Sequence, residues 1–231
     1  MIPKVIHYCW LGHGQMSILH RRCIESWKKY CPDFELQLWT NENSDIDNEY
    51  CRQAIKQDRW ALAADWVKFD VLYKHGGVYL DTDIELIKPL HSLIENRSYV
   101  AIPECETGVA AGFFAATPLH PINLEACNVI KNILIPNKRF STGPLILTKA
   151  IELSDKQNLS ILPPKTMYPF NPYDHNNPLN AGQLMFDDIT EETVGIHHYG
   201  VKVSWFKEDI VNRLLNKFFP NRNWSISFRP L

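Results

Sequence analysis

The chain has 231 residues, 45% of them hydrophobic and 22% charged, with 24 Lys plus Arg against 26 Asp plus Glu for a formal net charge of −2. That places it among ordinary globular proteins of one domain, or one domain with a lobe, and excludes disordered, collagenous and coiled-coil classes. A near-neutral balance without a dense Lys/Arg cluster lacks the cationic surface that wraps nucleic-acid phosphates, so no nucleic-acid partner is expected.

The first residues, Ile2 to Cys9, are rich in β-branched and aromatic side chains and end in a loop with Gly12 and Gly14, which predicts a buried strand. The apolar run is too short for a secretory segment, and no stretch of ~18 apolar residues follows anywhere, so a soluble protein is expected. Ser17 is placed to cap a helix over Ile18 to Tyr30, stopped by Pro32. Phe34 to Trp39 alternates as a strand, Thr40 to Glu49 is a polar loop, and Tyr50 to Gln57 a short helix. Trp60 to His75 carries the strongest helical pattern and ends at Gly76-Gly77. Strands are expected at Val78 to Leu80, Ile84 to Ile87, Tyr99 to Ile102 and Phe113 to Ala116, then helices over Leu119 to Ile133 and Leu145 to Leu153. The stretch from Pro163 to Pro178 reads as ordered irregular loop, Gly195 to Tyr199 as a last strand, and Phe206 to Phe219 as a closing amphipathic helix. Strands alternating with helices predict an α/β sandwich around a mostly parallel central sheet. The six cysteines, Cys9, Cys23, Cys31, Cys51, Cys105 and Cys127, have wide irregular spacings and no C-x-x-C pair. This fits reduced thiols in a cytosolic compartment, not a zinc site or a disulfide framework.

Chemistry concentrates in the run Gly76 to Asp83. In a strand, residues i and i+2 share a face, so Asp81 and Asp83 would present two carboxylates at the carboxyl end of a strand, where open α/β sheets bind ligands. Two hard oxygen donors suit Mg²⁺ or Mn²⁺ holding a diphosphate. On spacing alone the same pair serves as turn carboxylates accepting backbone hydrogen bonds, and Asp45-Ile46-Asp47 repeats the pattern in a polar loop with no role assigned. Asp65 and Lys68 share a helix face and read first as a buried ion pair; Asp70 and Lys74 read as a surface pair. His197 and His198 follow a predicted strand and would point to opposite faces, leaving at most one for a metal.

The runs Ile2 through Gly12, Ala63 through Tyr73, Gly76 through Asp83 and His197 through Trp205 resemble, in order, those of D-x-D glycosyltransferases. The likeness is to family 32, of the OCH1-like and capsular-polysaccharide type, whose core is also similar to that of the large clostridial glucosylating toxins. The resemblance implies a single GT-A domain over 1–231, with residues 1–116 as the donor-nucleotide and metal half and 117–231 as the acceptor half with a closing segment. It implies a retaining, Mn²⁺-dependent (or Mg²⁺-dependent) hexosyl transfer from a nucleotide-sugar donor to a glycan acceptor in polysaccharide synthesis. Asp83 matches the direct metal ligand, Asp81 a ligand that also meets the donor ribose, and His197 a third ligand. Trp10 matches the base-stacking aromatic, Asp65 the acid on donor hydroxyls and Lys68 its basic partner; Tyr79 falls near the donor, and Ser204 and Trp205 match a segment closing over the diphosphate. Ala64 and Lys68 stand where the pattern has Ser and Arg, which removes a planar fork from the donor site, and Val201-Lys202-Val203 departs from the small-residue filling usual before the closing segment.

The expected donor is a UDP-sugar, with GDP-mannose second. The expected acceptor is a growing glycan, lipid-linked and made at the cytoplasmic face of the membrane. The basic, aromatic C-terminus (Lys207, Arg213, Lys217, Phe218, Phe219, Arg222, Trp224, Arg229) offers a peripheral membrane contact or a solvated face. A metal-dependent sugar-nucleotide hydrolase would need the same diphosphate clamp, and an inactive sugar-nucleotide-binding relative would bind donor without turnover.

Overall fold

A computed structural model describes residues 1–105, 108–172, 186–199 and 225–227. Strand β1 (Val5–Cys9) is buried from Ile6 onward. Helix α1 (Ile18–Tyr30) begins at Ser17 in a capping box: the Ser17 hydroxyl accepts from the His20 N–H, and His20 Nδ1 accepts the Ser17 N–H at 3.2 Å. Histidine here plays the part usually taken by Glu or Gln. After β2 (Glu35–Trp39), Asn48 caps α2 (Glu49–Lys56). Helix α3 (Trp60–His75) is buried on nearly every side, as its continuous apolar composition requires. Gly76, at φ 64°, ends it, and Gly77, at φ 105°, turns the chain directly into β3 (Gly77–Leu80). An added Cβ on Gly76 would stand 2.6 Å from Pro118, so the turn needs glycine for space as well as for conformation.

The remaining elements are β4 (Ile84–Leu86), the one-turn α4 (His91–Ile94), β5 (Tyr99–Cys105), β6 (Gly108–Ala116), α5 (Pro121–Asn128), β7 (Arg139–Ser141), α6 (Gly143–Leu153), β8 (Leu159–Ile161), β9 (Gly195–His197) and β10 (Ser225–Ser227). The helix expected over Leu119 to Ile133 is two pieces, α5 running into a π-helical segment at Val129–Leu134. The strand expected over Gly195 to Tyr199 stops at His197 and pairs antiparallel with β4, outside the main sheet. Strand β7 pairs with β10 in a second small sheet. The predicted closing helix and the C-terminal basic residues lie outside the described residues.

The main sheet has the order β2-β1-β3-β6-β5-β8. Strand β6 is antiparallel to both neighbours and the other pairings are parallel, so the expected mostly parallel GT-A-type sheet is present. Strand alternation divides the core in two. Tyr79 and Phe114 face the side covered by α2, α3, α5 and α6, while Val78, Leu80 and Phe113 face Trp27 of α1 and the segments around Met167 and Val194. The sandwich leaves the carboxyl ends of β1 and β3 side by side at one edge of the layers, where a ligand would meet them.

Candidate active site

Strand β3 stops at Leu80, although the Asp81 N–H still bonds to the Gly112 carbonyl of β6 at 2.8 Å. The chain then turns, with the Ile84 N–H on the Asp81 carbonyl at 3.0 Å. The two acids therefore converge through a turn between β3 and β4, not by strand alternation as the sequence implied. Pairing of β4 with β9 sets His197 opposite Ile84, and the His198 N–H bonds to the Asp83 carbonyl at 3.0 Å. One ligand atom each from Asp81, Asp83 and His197 lie within 4.8 Å of one another. His197 Nε2 is 3.1 Å from Asp83 Oδ1, and its ring lies 4.0 Å from that of Tyr199 and edge-on to Tyr168 at 5.6 Å. His198 turns the other way, 3.0 Å from Glu85 Oε2.

Behind the cluster, α3 supplies a buried charge array. Lys68 Nζ lies 2.9 Å from Asp65 Oδ1, 3.4 Å from Asp81 Oδ1 and 3.1 Å from the Ala111 carbonyl, and 4.8 Å over the Tyr79 ring. An ammonium has three N–H donors, and each has an acceptor here. Burial works against the charge of Lys68, but Asp65 and Asp81 outweigh it and hold its pKa above the ordinary lysine value. Burial likewise pushes the Asp65 carboxyl up, against the pull of Lys68. The expected ion pair is thus present, and it has a third member in Asp81. The second oxygen of Asp65 accepts the Gly143 N–H at 2.8 Å, which caps α6 where Thr142 makes no side-chain cap bond.

Trp10 stands half-buried at the end of β1, its indole N–H on the Gly14 carbonyl at 2.7 Å and its ring edge on His20 at 4.8 Å. Tyr79 is 2% exposed and packs on Phe114, so its ring supports Lys68 from beneath. Asp70 bonds Lys74 at 2.7 Å, Asp45 reaches the same lysine at 3.5 Å, and Asp47 pairs with Arg52 at 2.6 Å, which leaves the second D-x-D engaged in surface pairs. Ser204 and Trp205 lie outside the described residues. Three residues of the site were not singled out by the sequence. Gly112 lies so close to Asp81 that a Cβ would stand 3.0 Å from its Oδ2; Gly143 abuts Asp65; and the Tyr168 hydroxyl accepts the Phe113 N–H at 2.9 Å beneath His197. Glycine amid the apolar strand run Ala110 to Phe114 was the one available hint, because Gly inside a strand marks close approach.

Two carboxylates and an imidazole at this separation form a donor set that fits a Mn²⁺- or Mg²⁺-type ion with open positions left for a ligand. The sheet, and the Asp-x-Asp turn at the end of β3, are those of a GT-A-type fold, and the chain is similar to D-x-D glycosyltransferases. Residues 18–100 match the family described as the glycosyltransferase sugar-binding region containing the DXD motif. The chain is 25% identical over 196 residues to an uncharacterised glycosyltransferase of Acanthamoeba polyphaga mimivirus, covering 77% of each. It is 29% identical over 173 residues to inositol phosphoceramide mannosyltransferase 1 of Schizosaccharomyces pombe, covering 64% of this chain and 50% of that protein. The chain spans half or less of the length of these fungal relatives. Among solved structures, the PaToxG glycosyltransferase superposes with a TM-score of 0.50 at 20% identity, over 65% of this chain and 68% of that one, and shares the fold.

Proposed function

We propose that the chain moves a hexosyl unit, with retention of configuration, from a nucleoside diphosphate sugar to a hydroxyl of a glycan or glycolipid acceptor. The observation that carries this reading is the convergence of Asp81, Asp83 and His197 within 4.8 Å beside a buried Lys68. These three residues would hold Mn²⁺ or Mg²⁺, which when bound neutralises charge on a departing diphosphate. Asp81 and Asp83 bring the negative charge that makes a cation site here, and Lys68 fixes the orientation of Asp81. Asp65 orients Lys68 from behind, Tyr79 supports Lys68 from below, and Trp10 offers an aromatic face to the base. A two-carboxylate hydrolase needs carboxyl groups roughly 5–10 Å apart, on either side of the bond cleaved. Acids gathered in one cluster do not flank a bond, so the acceptor proton is left to the departing phosphate oxygen.

The sequence ranked UDP-sugars ahead of GDP-mannose. Three of the fungal relatives bear the name mannosyltransferase and two that of mannosyl phosphorylinositol ceramide synthase, and this supports GDP-mannose as the donor. Their acceptor, inositol phosphoceramide by name, supports a membrane-borne acceptor in place of a free sugar. Buried, unpaired thiols at Cys9, Cys23, Cys31, Cys51 and Cys127 support action in a reducing compartment, at the cytoplasmic face. The test is a thermal-shift panel of GDP-mannose and UDP-hexoses with and without Mn²⁺, since a ligand bound only by the folded state raises its stability. GDP-mannose with Mn²⁺ should give the largest rise. A rise with a UDP-sugar and none with GDP-mannose reverses the donor assignment, and full turnover in chelator removes the metal.

A further inference from the structure

We propose that the solvent face of α1 is a docking surface for anionic lipid headgroups, set beside the mouth of the active site. In sequence, Arg21-Arg22 and Lys28-Lys29 are separate pairs. Seven residues are two helical turns, about 10 Å, so the helix lines the pairs up on one stripe. Ile18, Arg21, Arg22, Glu25, Lys28 and Lys29 are all exposed, while Cys23 and Trp27 face inward. Two bonds fix that rotation: the Trp27 indole N–H donates to the Ile84 carbonyl at 2.7 Å, and Ser26 Oγ accepts the Leu86 N–H at 2.9 Å. The stripe cannot turn its cations away without breaking both.

Four cations and one acid put a surplus of positive charge on one face of a chain whose net charge is −2. Among the described residues none of the four makes an ion pair, although Lys29 Nζ lies 4.9 Å over the Tyr30 ring. The acids nearby are engaged elsewhere: Asp33 with Lys4 at 2.6 Å and His91 at 2.9 Å, and Glu85 with His198 at 3.0 Å. Ile18, 65% exposed at the first turn of the stripe, decides between polyanions. An apolar side chain beside basic ones fits the boundary between headgroups and acyl chains, whereas a phosphate backbone gains nothing from it. The same first turn carries His20 against Trp10 at 4.8 Å, so a bilayer lying along α1 would bring membrane-borne hydroxyls to the edge of the site.

The surface stands on α1 itself and survives if the donor or metal assignment fails. The test is co-sedimentation of the whole chain with vesicles of phosphatidylcholine alone, or with about one third phosphatidylserine. The chain should partition to the anionic vesicles and be released by salt. Each cation near such a surface adds ~1 kcal/mol, about fivefold in partitioning, so Arg21→Gln/Arg22→Gln and, separately, Lys28→Gln/Lys29→Gln should each weaken binding roughly 25-fold. Both variants should keep the wild-type melting temperature and its shift with donor and Mn²⁺, because neither pair touches the site. No partitioning by the wild type, equal partitioning to neutral vesicles, binding by both variants as strong as that of the wild type, or retention on polyuridine RNA but not on the vesicles would each overturn the proposal.

Discussion

Lys68 shows how much a single side chain can be asked to do at this site, and how little of that is visible in a linear sequence. Helical spacing pairs it with Asp65, but the Ala111 carbonyl and Asp81 come from β6 and from the turn after β3, and only the fold brings them within 3.1 and 3.4 Å. Removing one partner of a buried ion pair leaves the other uncompensated, so Lys68→Met should cost about 3–5 kcal/mol in urea unfolding. Arg52→Gln, at an exposed pair, should change stability by no more than ~1 kcal/mol. Lys68→Arg inserts a larger planar group among acceptors arranged for an ammonium and should cost about 1–3 kcal/mol; a more stable protein would show that the pocket is built for the fork. The candidate metal ligands separate by a different assay. Asp83→Asn should lower turnover on the order of 10²-fold with little change in stability, and His197→Ala should weaken Mn²⁺ in a titration that His198→Ala leaves unchanged. Equal loss in both histidine variants, or in neither, would remove His197 from the ligand set.

Elements with strong local punctuation matched their sequence pattern: α1 starts after the Ser17 cap and stops before Pro32, and α3 stops at Gly76, each with the expected bounds. The elements that sequence did not show are those whose existence depends on a distant partner or a nonstandard backbone. Strands β7, β8 and β10 are three residues long and exist through pairing with remote segments, α4 has no side-chain cap, and the π-helical segment after α5 shifts the hydrogen-bond register of an otherwise helical pattern. At the middle of β1, His7 joins three elements. Its Nε2–H donates to the Gly76 carbonyl at 2.9 Å, and its Nδ1 accepts the Trp39 indole N–H of β2 at 3.0 Å. Protonation would set two donors against each other. Burial, aided by His75 and opposed by the Gly76 carbonyl, pushes its pKa down to about 4 from 6.5. Between those values the unfolded chain binds the extra proton, so this contribution to stability is complete above pH ~6.5 and is lost as pH falls toward 4, by roughly 3 kcal/mol in all. Urea unfolding at a series of pH values should show the loss in the wild type and a flatter profile in His7→Gln. Parallel profiles would mean that other groups carry the acid sensitivity.

At the scale of the whole molecule, the charge array ties the segment that carries the D-x-D turn to the segment that follows β6. Asp65 is the link: one oxygen holds Lys68, which reaches Asp81, and the other caps the first N–H of α6. The position of α6 against the sheet and the orientation of a carboxylate of the candidate metal site are therefore set by the same side chain. Gly143 makes that joint close enough to test. A Cβ there would stand 2.4 Å from Asp65 Oδ1 and 3.0 Å from the Ala111 Cβ, and the neighbours it would meet are a buried carboxylate and a core methyl that cannot swing aside into solvent. Its backbone shows no positive φ, so the effect of Gly143→Ala is spatial and not conformational. Either α6 moves out, which loses the cap and loosens packing, or Asp65 rotates, which loosens Lys68 and with it Asp81. Overpacking of this kind costs about 1–3 kcal/mol, and both routes disturb the site. Gly143→Ala should therefore lower stability to urea and weaken Mn²⁺-dependent donor binding, measured by tryptophan fluorescence, while Gly14→Ala, whose Cβ meets nothing within 4 Å, should leave stability unchanged. A Gly143→Ala protein with wild-type donor affinity and stability would show that α6 and the metal cluster are independent, and that Asp65 serves only its helix neighbour.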